Sequence, residues 1–414
     1  MSLFKKAALA MVMTLAPMGA LAVEDPCVAV NNANQMVLCA ESRSPEVLKA
    51  ESYLNSKKAA VGQSSQLLNP ELSSEYVAGK NSGQNQSEFD VSLAFPIEVG
   101  GGRSARKSLA ESEVKKAEAE LTKVRAEVRK QVILHLTRLR QLYEEAEMVD
   151  ESIAVFSKLV RQYQQRPKLS PEQEVTVEVF DLAKSDYVFK KQEIIEEITK
   201  IDSFFKLSLG KPLADFKLNL PARVKNWPEI SEKSEKINSS PLLAIYEAEV
   251  GMSQAELAKA RSEVFPALSV GPSMKRVSDG DVTSSQVGIN FSMPLPLLSL
   301  NQGGRATAAA NVKTAEVRRD FALTELHNLR ETLFKQYVSS VRLLKASSSG
   351  LSQEKRHKKI EGHFYRGLVP SSLVIEAHRS LVEFEKTRNE RELKTLENYL
   401  DIRFIDGEAM EFAL

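Results

Sequence analysis

One unit occurs twice in this chain, and that duplication constrains the fold more tightly than any other feature of the sequence. Ser44-Pro45 opens a helical stretch that runs to Leu68-Asn69-Pro70-Glu71-Leu72-Ser73. Ser240-Pro241 opens another that runs to Val264-Phe265-Pro266-Ala267-Leu268-Ser269, with the same spacing between the prolines. A candidate β-hairpin follows in each copy. Glu71 to Gly79 and Phe89 to Pro96 flank the polar loop Lys80 to Gln86, and Leu268 to Val277 and Gln286 to Pro294 flank Ser278 to Asp281. In the returning strands Phe89, Val91, Leu93 and Phe95 share one face, as do Val287, Ile289, Phe291 and Met293. That period of two marks a strand with one apolar side.

Each hairpin runs into a glycine-bearing turn, Gly100-Gly101-Gly102-Arg103 or Gln302-Gly303-Gly304-Arg305, and a long helix is expected to follow. In the first copy Leu121, Val124, Val128, Val132, Leu136, Leu139 and onward to Tyr163 recur at three or four. In the second, Val312, Ala315, Ala322, Leu326, Leu333, Tyr337 and Leu344 keep a similar rhythm. Lys, Arg, Glu and Gln fill the faces between, as an amphipathic or coiled-coil helix requires. The long helices stop at proline-bearing turns, Arg166-Pro167-Lys168-Leu169-Ser170-Pro171 and Arg366-Gly367-Leu368-Val369-Pro370. A further helix follows each, roughly Glu172 to Leu209 and Ser371 to Ile405. The chain thus divides into an export signal (1–22), an N-terminal periplasmic segment (23–43), a first repeat (44–212), a linker carrying Trp227 (213–239), a second repeat (240–405) and a tail (406–414).

Composition narrows the function classes. The 414 residues hold 56 Lys+Arg and 55 Asp+Glu, a formal net charge of +1, without the basic excess of a nucleic-acid binder. Lys5-Lys6, the apolar run Ala7 to Ala22 and its ending Ala20-Leu21-Ala22 have the layout of a secretory signal cleaved after about Ala22. The alternative is an N-terminal membrane anchor, against which the run is short and contains Pro17. No cysteine directly follows the cleavage point, which argues against a lipid anchor there. Beyond it no apolar run is long enough for a transmembrane helix, although a β-barrel would escape such a scan. Cys27 and Cys39 are the only cysteines; in an oxidising periplasm that pair favours a disulfide over a metal site.

A helix of about sixty residues is roughly 90 Å long and must pack along other rods. Two hairpins give four strands per chain, too few to close a barrel in lipid, where unpaired strand edges cannot stand. Three chains give twelve strands, so a cyclic trimer is the economical closure.

The repeated order of proline, strand, loop, strand, proline, Gly-Gly-Arg and long helix resembles the TolC-like outer-membrane efflux proteins. Phe364-Tyr365-Arg366-Gly367-Leu368, running into Leu373 to Ala377, also resembles that family's helix-turn-helix tip. The resemblance extends from about Cys39 to Ile405. It implies a mostly α fold with a small β part: long antiparallel helices forming a periplasmic α-barrel, and two β-hairpins per chain contributing to a trimeric twelve-stranded transmembrane β-barrel. It implies a non-catalytic exit duct in the outer membrane of a Gram-negative bacterium, in contact with outer-membrane lipid. Such a duct is served by an inner-membrane transporter through a periplasmic adaptor, in a tripartite efflux or type I secretion system, with no cofactor.

The resemblance places the proline-bearing turns at the periplasmic tip, making Arg166, Leu169, Ser170, Gly367, Leu368 and Val369 the candidate adaptor contacts. The plain alternative is an ordinary solvated interhelical turn. Asp181, Asp186 and Glu376, just beyond the tips, are candidate gate or pore-lining groups, since threefold symmetry would gather three copies of each around one axis; ordinary helix-surface charge is the competing reading. Gly101, Gly102 and Arg103, with Gly303, Gly304 and Arg305, read as barrel-to-tunnel turns rather than phosphate-binding loops, because the GxxxxGK[ST] spacing is missing. His357, His363 and His378 lie near the second tip and read as solvated helix-face residues rather than metal ligands. A soluble periplasmic coiled-coil adaptor is the competing function class. It would have no use for strands with one apolar face.

Overall fold

The computed structural model of the chain describes residues 26–408 apart from 28–29, 31, 82–83, 211, 214–219, 235, 266 and 348–349. The expected export signal, Pro266 of the second copy and most of the expected tail lie outside the described residues. The first copy comprises α1 (Ala33–Arg43), α2 (Pro45–Ser64), β1 (Glu71–Asn81), β2 (Gln84–Ile97), α3 (Gly102–Gln164) and α4 (Pro171–Leu209). A 3-10 turn at Ile237–Ser239 leads into α5 (Pro241–Ser262), β3 (Leu268–Asp279), β4 (Val282–Ser292), α6 (Gln302–Ala346), α7 (Gly350–Tyr365) and α8 (Ser371–Ile405).

The duplication is visible in the backbone. Ser44 and Ser240 precede α2 and α5 with φ/ψ of −57°/127° and −61°/129°, and each is followed by a proline in the first helical turn. Proline is favoured there because its missing N–H has no intrahelical acceptor to lose. Both strand pairs are antiparallel, and β2 joins β3 from Gln86↔Asp279 to Ile97↔Leu268, which seals the two copies into one four-stranded sheet of order β1-β2-β3-β4. Gly271 belongs at this seam: a Cβ there would fall onto the Leu93 carbonyl.

The helices follow the strand order. α2 packs on α3, α3 on α5 and α5 on α6, with α4 and α8 packed further along α3. At 63 residues α3 spans roughly 95 Å. Its core side chains Val132, Leu136, Leu139 and Leu142 belong to one apolar cluster with Ile201 and Phe205 of α4 and Leu396 and Leu400 of α8. The linker packs against the same helices. Trp227 is buried edge-on to Tyr337, with ring centroids 6.1 Å apart, and Tyr337 donates its hydroxyl to the Pro228 carbonyl at 2.6 Å. Cys27 is bonded to Cys39 of α1, with Cα atoms 4.8 Å apart.

One expectation is corrected here. The second long helix is not continuous: α6 ends at Ala346, Ser347 turns to φ −66° and ψ 136°, and α7 starts at Gly350. The sequence Ala346-Ser347-Ser348-Ser349-Gly350 supplies the reason. Serine competes for backbone partners, as Ser347 Oγ does by donating to the Leu344 carbonyl at 2.8 Å, and glycine is a poor helix former. Among the described residues no helix is long and apolar enough to cross a membrane.

Candidate functional site

The sheet has one apolar and one polar face. Cross-strand partners share a face, so the registers Val91↔Met274 and Met274↔Val287 lay an apolar row across β2, β3 and β4, and Leu72↔Leu93 and Tyr76↔Phe89 carry the same face onto β1. The rows Ser73↔Ser92↔Ser273↔Gly288 and Glu75↔Asp90↔Lys275↔Gln286 lie on the opposite face. On that polar face Ser73 and Ser92 are hydrogen-bonded at 2.7 Å, and Lys275 forms an ion pair with Glu88. Among the described residues β1 and β4 each have an unpaired edge. Such a sheet suits a wall with lipid on one side and water on the other, provided other strands complete its edges.

At the corners between sheet and helices the two copies use different residues. Gly101 takes φ 80° ahead of α3, a left-handed conformation in which glycine carries no Cβ penalty. Ahead of α6 the left-handed residue is Asn301, at φ 48°, while Gly303 and Gly304 lie inside the first helical turn. This corrects the reading of the second glycine pair as the turn itself. Asn301 Nδ2 donates to the Ala260 carbonyl at 3.1 Å and to Glu263 Oε2 at 2.8 Å, and Gly304 leaves room for that side chain. Gly102 opens α3, and Arg103 Nε donates to the Ser65 carbonyl at 2.6 Å. Arg305 is half-buried, and its Nε has no hydrogen-bond partner among the described residues.

The tips lie at the opposite ends of the long helices. In the first, Ser170 caps α4: its Oγ accepts from Gln173 N at 3.3 Å, while Gln173 Oε1 accepts from Ser170 N at 3.1 Å. The Arg166 guanidinium lies 4.7 Å from the Tyr163 ring. In the second tip Gly367 is left-handed at φ 71°; its N–H donates to the Phe364 carbonyl at 2.7 Å, and Leu368 N–H to the His363 carbonyl at 3.0 Å, a Schellman closure. Leu169 and Val369 are half-buried just before helices that start at Pro171 and Ser371, while Arg166, Ser170, Gly367 and Leu368 are exposed. Phe180 against Phe364, with centroids 6.1 Å apart, joins the two tips side by side.

The candidate gate acids are not gathered within the chain. Asp181, Asp186 and Glu376 are exposed, each paired along its own helix with Lys184 (3.1 Å), Lys190 (2.9 Å) and Arg379 (2.7 Å). Among the described residues no group of three or more metal-ligating side chains occurs. His378, read as a solvated residue, is instead buried. Its Nδ1 lies 3.0 Å from Ser152 Oγ and its Nε2 3.1 Å from Glu361, and its ring is 5.0 Å from Phe156. Phe156, Phe180, Tyr187 and His378 thus tie α3, α4 and α8 together above the tips. Burial, with Asp186 adding to it, pushes the Tyr187 hydroxyl up to about 12. Apolar periodicity missed this histidine because its polar neighbours come from helices distant in sequence.

A second feature, a buried ionic network midway along α3, also escaped the sequence. Glu392 accepts from Arg140 at 2.9 Å, from Gln141 at 3.1 Å and from the Val224 backbone N–H at 3.0 Å. Arg223 of the linker reaches Glu144 (2.7 Å), Asn389 (3.0 Å) and Glu385 (3.2 Å). On the other side Arg138 bridges Glu145 and Glu197, both at 2.8 Å. Linker and both copies are thereby clamped at one level. Apolar periodicity carries no sign of it, because the partners come from helices and a linker distant in sequence.

Comparison with known proteins agrees with this geometry. Residues 39–168 match the family described as outer membrane efflux protein. The cobalt-zinc-cadmium resistance protein CzcC of Cupriavidus metallidurans is 25% identical over 312 residues, which cover 73% of this chain and 71% of CzcC. The crystal structure of the Campylobacter jejuni CmeC outer membrane channel superposes with a TM-score of 0.71 at 16% identity, covering 91% of this chain and 86% of that one. The outer membrane protein VceC of Vibrio cholerae gives 0.68 at 15% identity, covering 91% and 96%. At these identities the two structures speak for the fold.

Proposed function

We propose, from the premise that the chain belongs to the outer membrane efflux protein family, that three copies close a twelve-stranded barrel and that the trimer is the passive exit duct of a tripartite efflux system. The carrying observation is a sheet with one apolar face, one polar face and two open edges, seated on a helix of 63 residues. β4 of one copy pairs with β1 of the next, and α6 lies beside the next copy's α2, which repeats between chains the side-by-side order seen within one. The barrel stands in the outer membrane and the helices extend into the periplasm.

At the far end the tips receive a periplasmic adaptor, with Leu368 and Val369 as the apolar contacts of the second tip, and Leu169 as an apolar and Arg166 as a charged contact of the first. Ser170 and Gly367 act by shaping the turns. Asp181, Asp186 and Glu376 are carried forward as lumen-facing groups, to be tested by charge neutralisation and cation selectivity. Because CzcC is named for resistance to cobalt, zinc and cadmium, those ions are the first cargo to test, by the tolerance of cells lacking this chain.

The deciding experiment is reconstitution. Detergent-solubilised protein should run as a trimer and conduct ions in planar bilayers. A mature chain that stays in the aqueous fraction without detergent and forms no pores would sink the duct and favour the adaptor class.

A further inference from the structure

The turn from β4 into α6 is longer than its counterpart, and the surplus is apolar. Between Pro96 and Arg103 the first copy reads Pro-Ile-Glu-Val-Gly-Gly-Gly-Arg; between Pro294 and Arg305 the second reads Pro-Leu-Pro-Leu-Leu-Ser-Leu-Asn-Gln-Gly-Gly-Arg. The shorter turn already makes a complete corner: Glu98 pairs with Arg106, and Gly100 is pressed against Ser262 and Phe265 of the second repeat of the same chain. In the longer turn Asn301 holds the corner through Ala260 and Glu263. The added residues stand outside that junction. Leu295 is 66% exposed, Leu297 82% and Leu298 101%.

Val287, Ile289, Phe291 and Met293 alternate with Gln286, Gly288, Asn290 and Ser292, and Leu295, Leu297 and Leu298 follow that apolar run directly in the chain, beyond the last residue of β4. Three of the turn's backbone positions present no free donor. Pro294 and Pro296 bring no N–H, and Leu297 N–H is satisfied by the Leu295 carbonyl at 2.8 Å around Pro296.

We propose that Leu295 to Leu300 form an interfacial anchor that dips into the periplasmic leaflet of the outer membrane, its partner being the acyl and glycerol region of phospholipid. The loop prolongs the lipid-facing band of β4, which chooses lipid as its occupant. A neighbouring copy is the rival occupant, but the within-chain junction shows that the shorter turn is enough to fill such a contact. The added leucines have no place in it. This inference rests on the outer-membrane channel reading.

Single-cysteine variants of the full chain, labelled with an environment-sensitive fluorophore and reconstituted into phospholipid vesicles, test it. Cys27 and Cys39 are bonded to each other, so the introduced thiol is the labelling site. Leu298→Cys probes the loop, Val287→Cys the strand face and Leu368→Cys the distant tip. Brominated phospholipids should quench positions 287 and 298 severalfold more than 368, while aqueous iodide should quench 368 most. If 287 is quenched by lipid and 298 behaves like 368, or is shielded from both quenchers by a neighbouring copy, the anchor is overturned and the channel stands. If 287 itself escapes the lipid quencher, the membrane reading fails and the anchor with it.

Discussion

The two long helices start from equivalent corners and live in different surroundings. α3 buries side chains along most of its length, among them Leu121, Val132, Leu136, Leu142, Val149, Phe156 and Leu159, because neighbours cover several of its faces. α6 buries a narrow stripe in which Ala308, Ala315 and Ala322 recur every seven residues, and it leaves Val317, Phe321, Leu329 and Leu343 exposed. At the opposite edge α2 exposes Leu48 and Tyr53. One helix is the interior of the protomer and the other is its border. The apolar residues stranded on α6 and α2 make sense as two halves of a contact between copies, and the comparison can be broken by substitutions that treat the helices alike.

The largest difference is expected at the charges. Glu392 is buried against Arg140, Gln141 and the linker backbone, so Glu392→Ala leaves charges without their partner and should cost about 3–5 kcal/mol. Trimer yield in the membrane fraction should collapse. Glu331→Ala on α6 removes an exposed partner of Lys335 and should leave yield and melting unchanged. Equal losses at both sites would erase the distinction between interior and border.

Next come the apolar residues. Leu136 of α3 is completely buried, and Leu136→Ala should destabilise by about 2–5 kcal/mol, read as a lower melting temperature of the helical signal in detergent. Phe321→Asp on α6 should leave that signal in place but shift the chain from trimer to monomer on sizing. A Phe321→Asp chain that stays trimeric would show that α6 does not border the next copy.

This asymmetry explains what was legible in the sequence. Local rules marked the elements: the Ser-Pro helix starts, the alternation from Phe89 to Phe95 and from Val287 to Met293, and the proline-bearing tips all correspond to elements of the fold. What escaped depends on which faces meet. Apolar periodicity sees Leu136 but says nothing of Arg140, Glu145 and Glu392, since their burial is decided by residues far away in sequence. His378 was misplaced for the same reason. The corner glycines misled differently: the matched Gly-Gly-Arg endings suggested one turn used twice, whereas the extra residues of the second copy move the left-handed position onto Asn301. The tip residues were found as turns, and the docking proposed for them follows from no local rule.

A smaller effect separates the two tips. Gly367 holds φ 71°, so Gly367→Ala should cost about 1 kcal/mol through the left-handed penalty. At the first tip, Ser170→Ala loses a cap worth typically about 1 kcal/mol. Neither should disturb trimer formation. Leu368→Asp, by contrast, should leave stability unchanged and reduce cross-linking to the adaptor, whereas undiminished cross-linking would remove the second tip from the docking surface.

The smallest expected effect is a pH dependence confined to the surroundings of α3. His135 is half-buried beside Phe204, with ring centroids 4.4 Å apart, and burial lowers its pKa. Glu197 accepts from Arg138 at 2.8 and 2.9 Å, and those hydrogen bonds lower its pKa. For both groups the folded value lies below the unfolded one, near 6.5 for histidine and about 4.3 for glutamate. The unfolded chain therefore binds more protons on acidification, and each contribution is complete above its unfolded pKa and lost as pH falls through its folded value. Melting temperature should decline first below about pH 6.5 through His135 and again below about pH 4.3 through Glu197. His135→Phe should flatten the upper step and Glu197→Gln the lower one, each leaving the other in place. If both variants keep the parent profile, the acid sensitivity arises elsewhere, and the interior of α3 is no more responsive to pH than the border at α6.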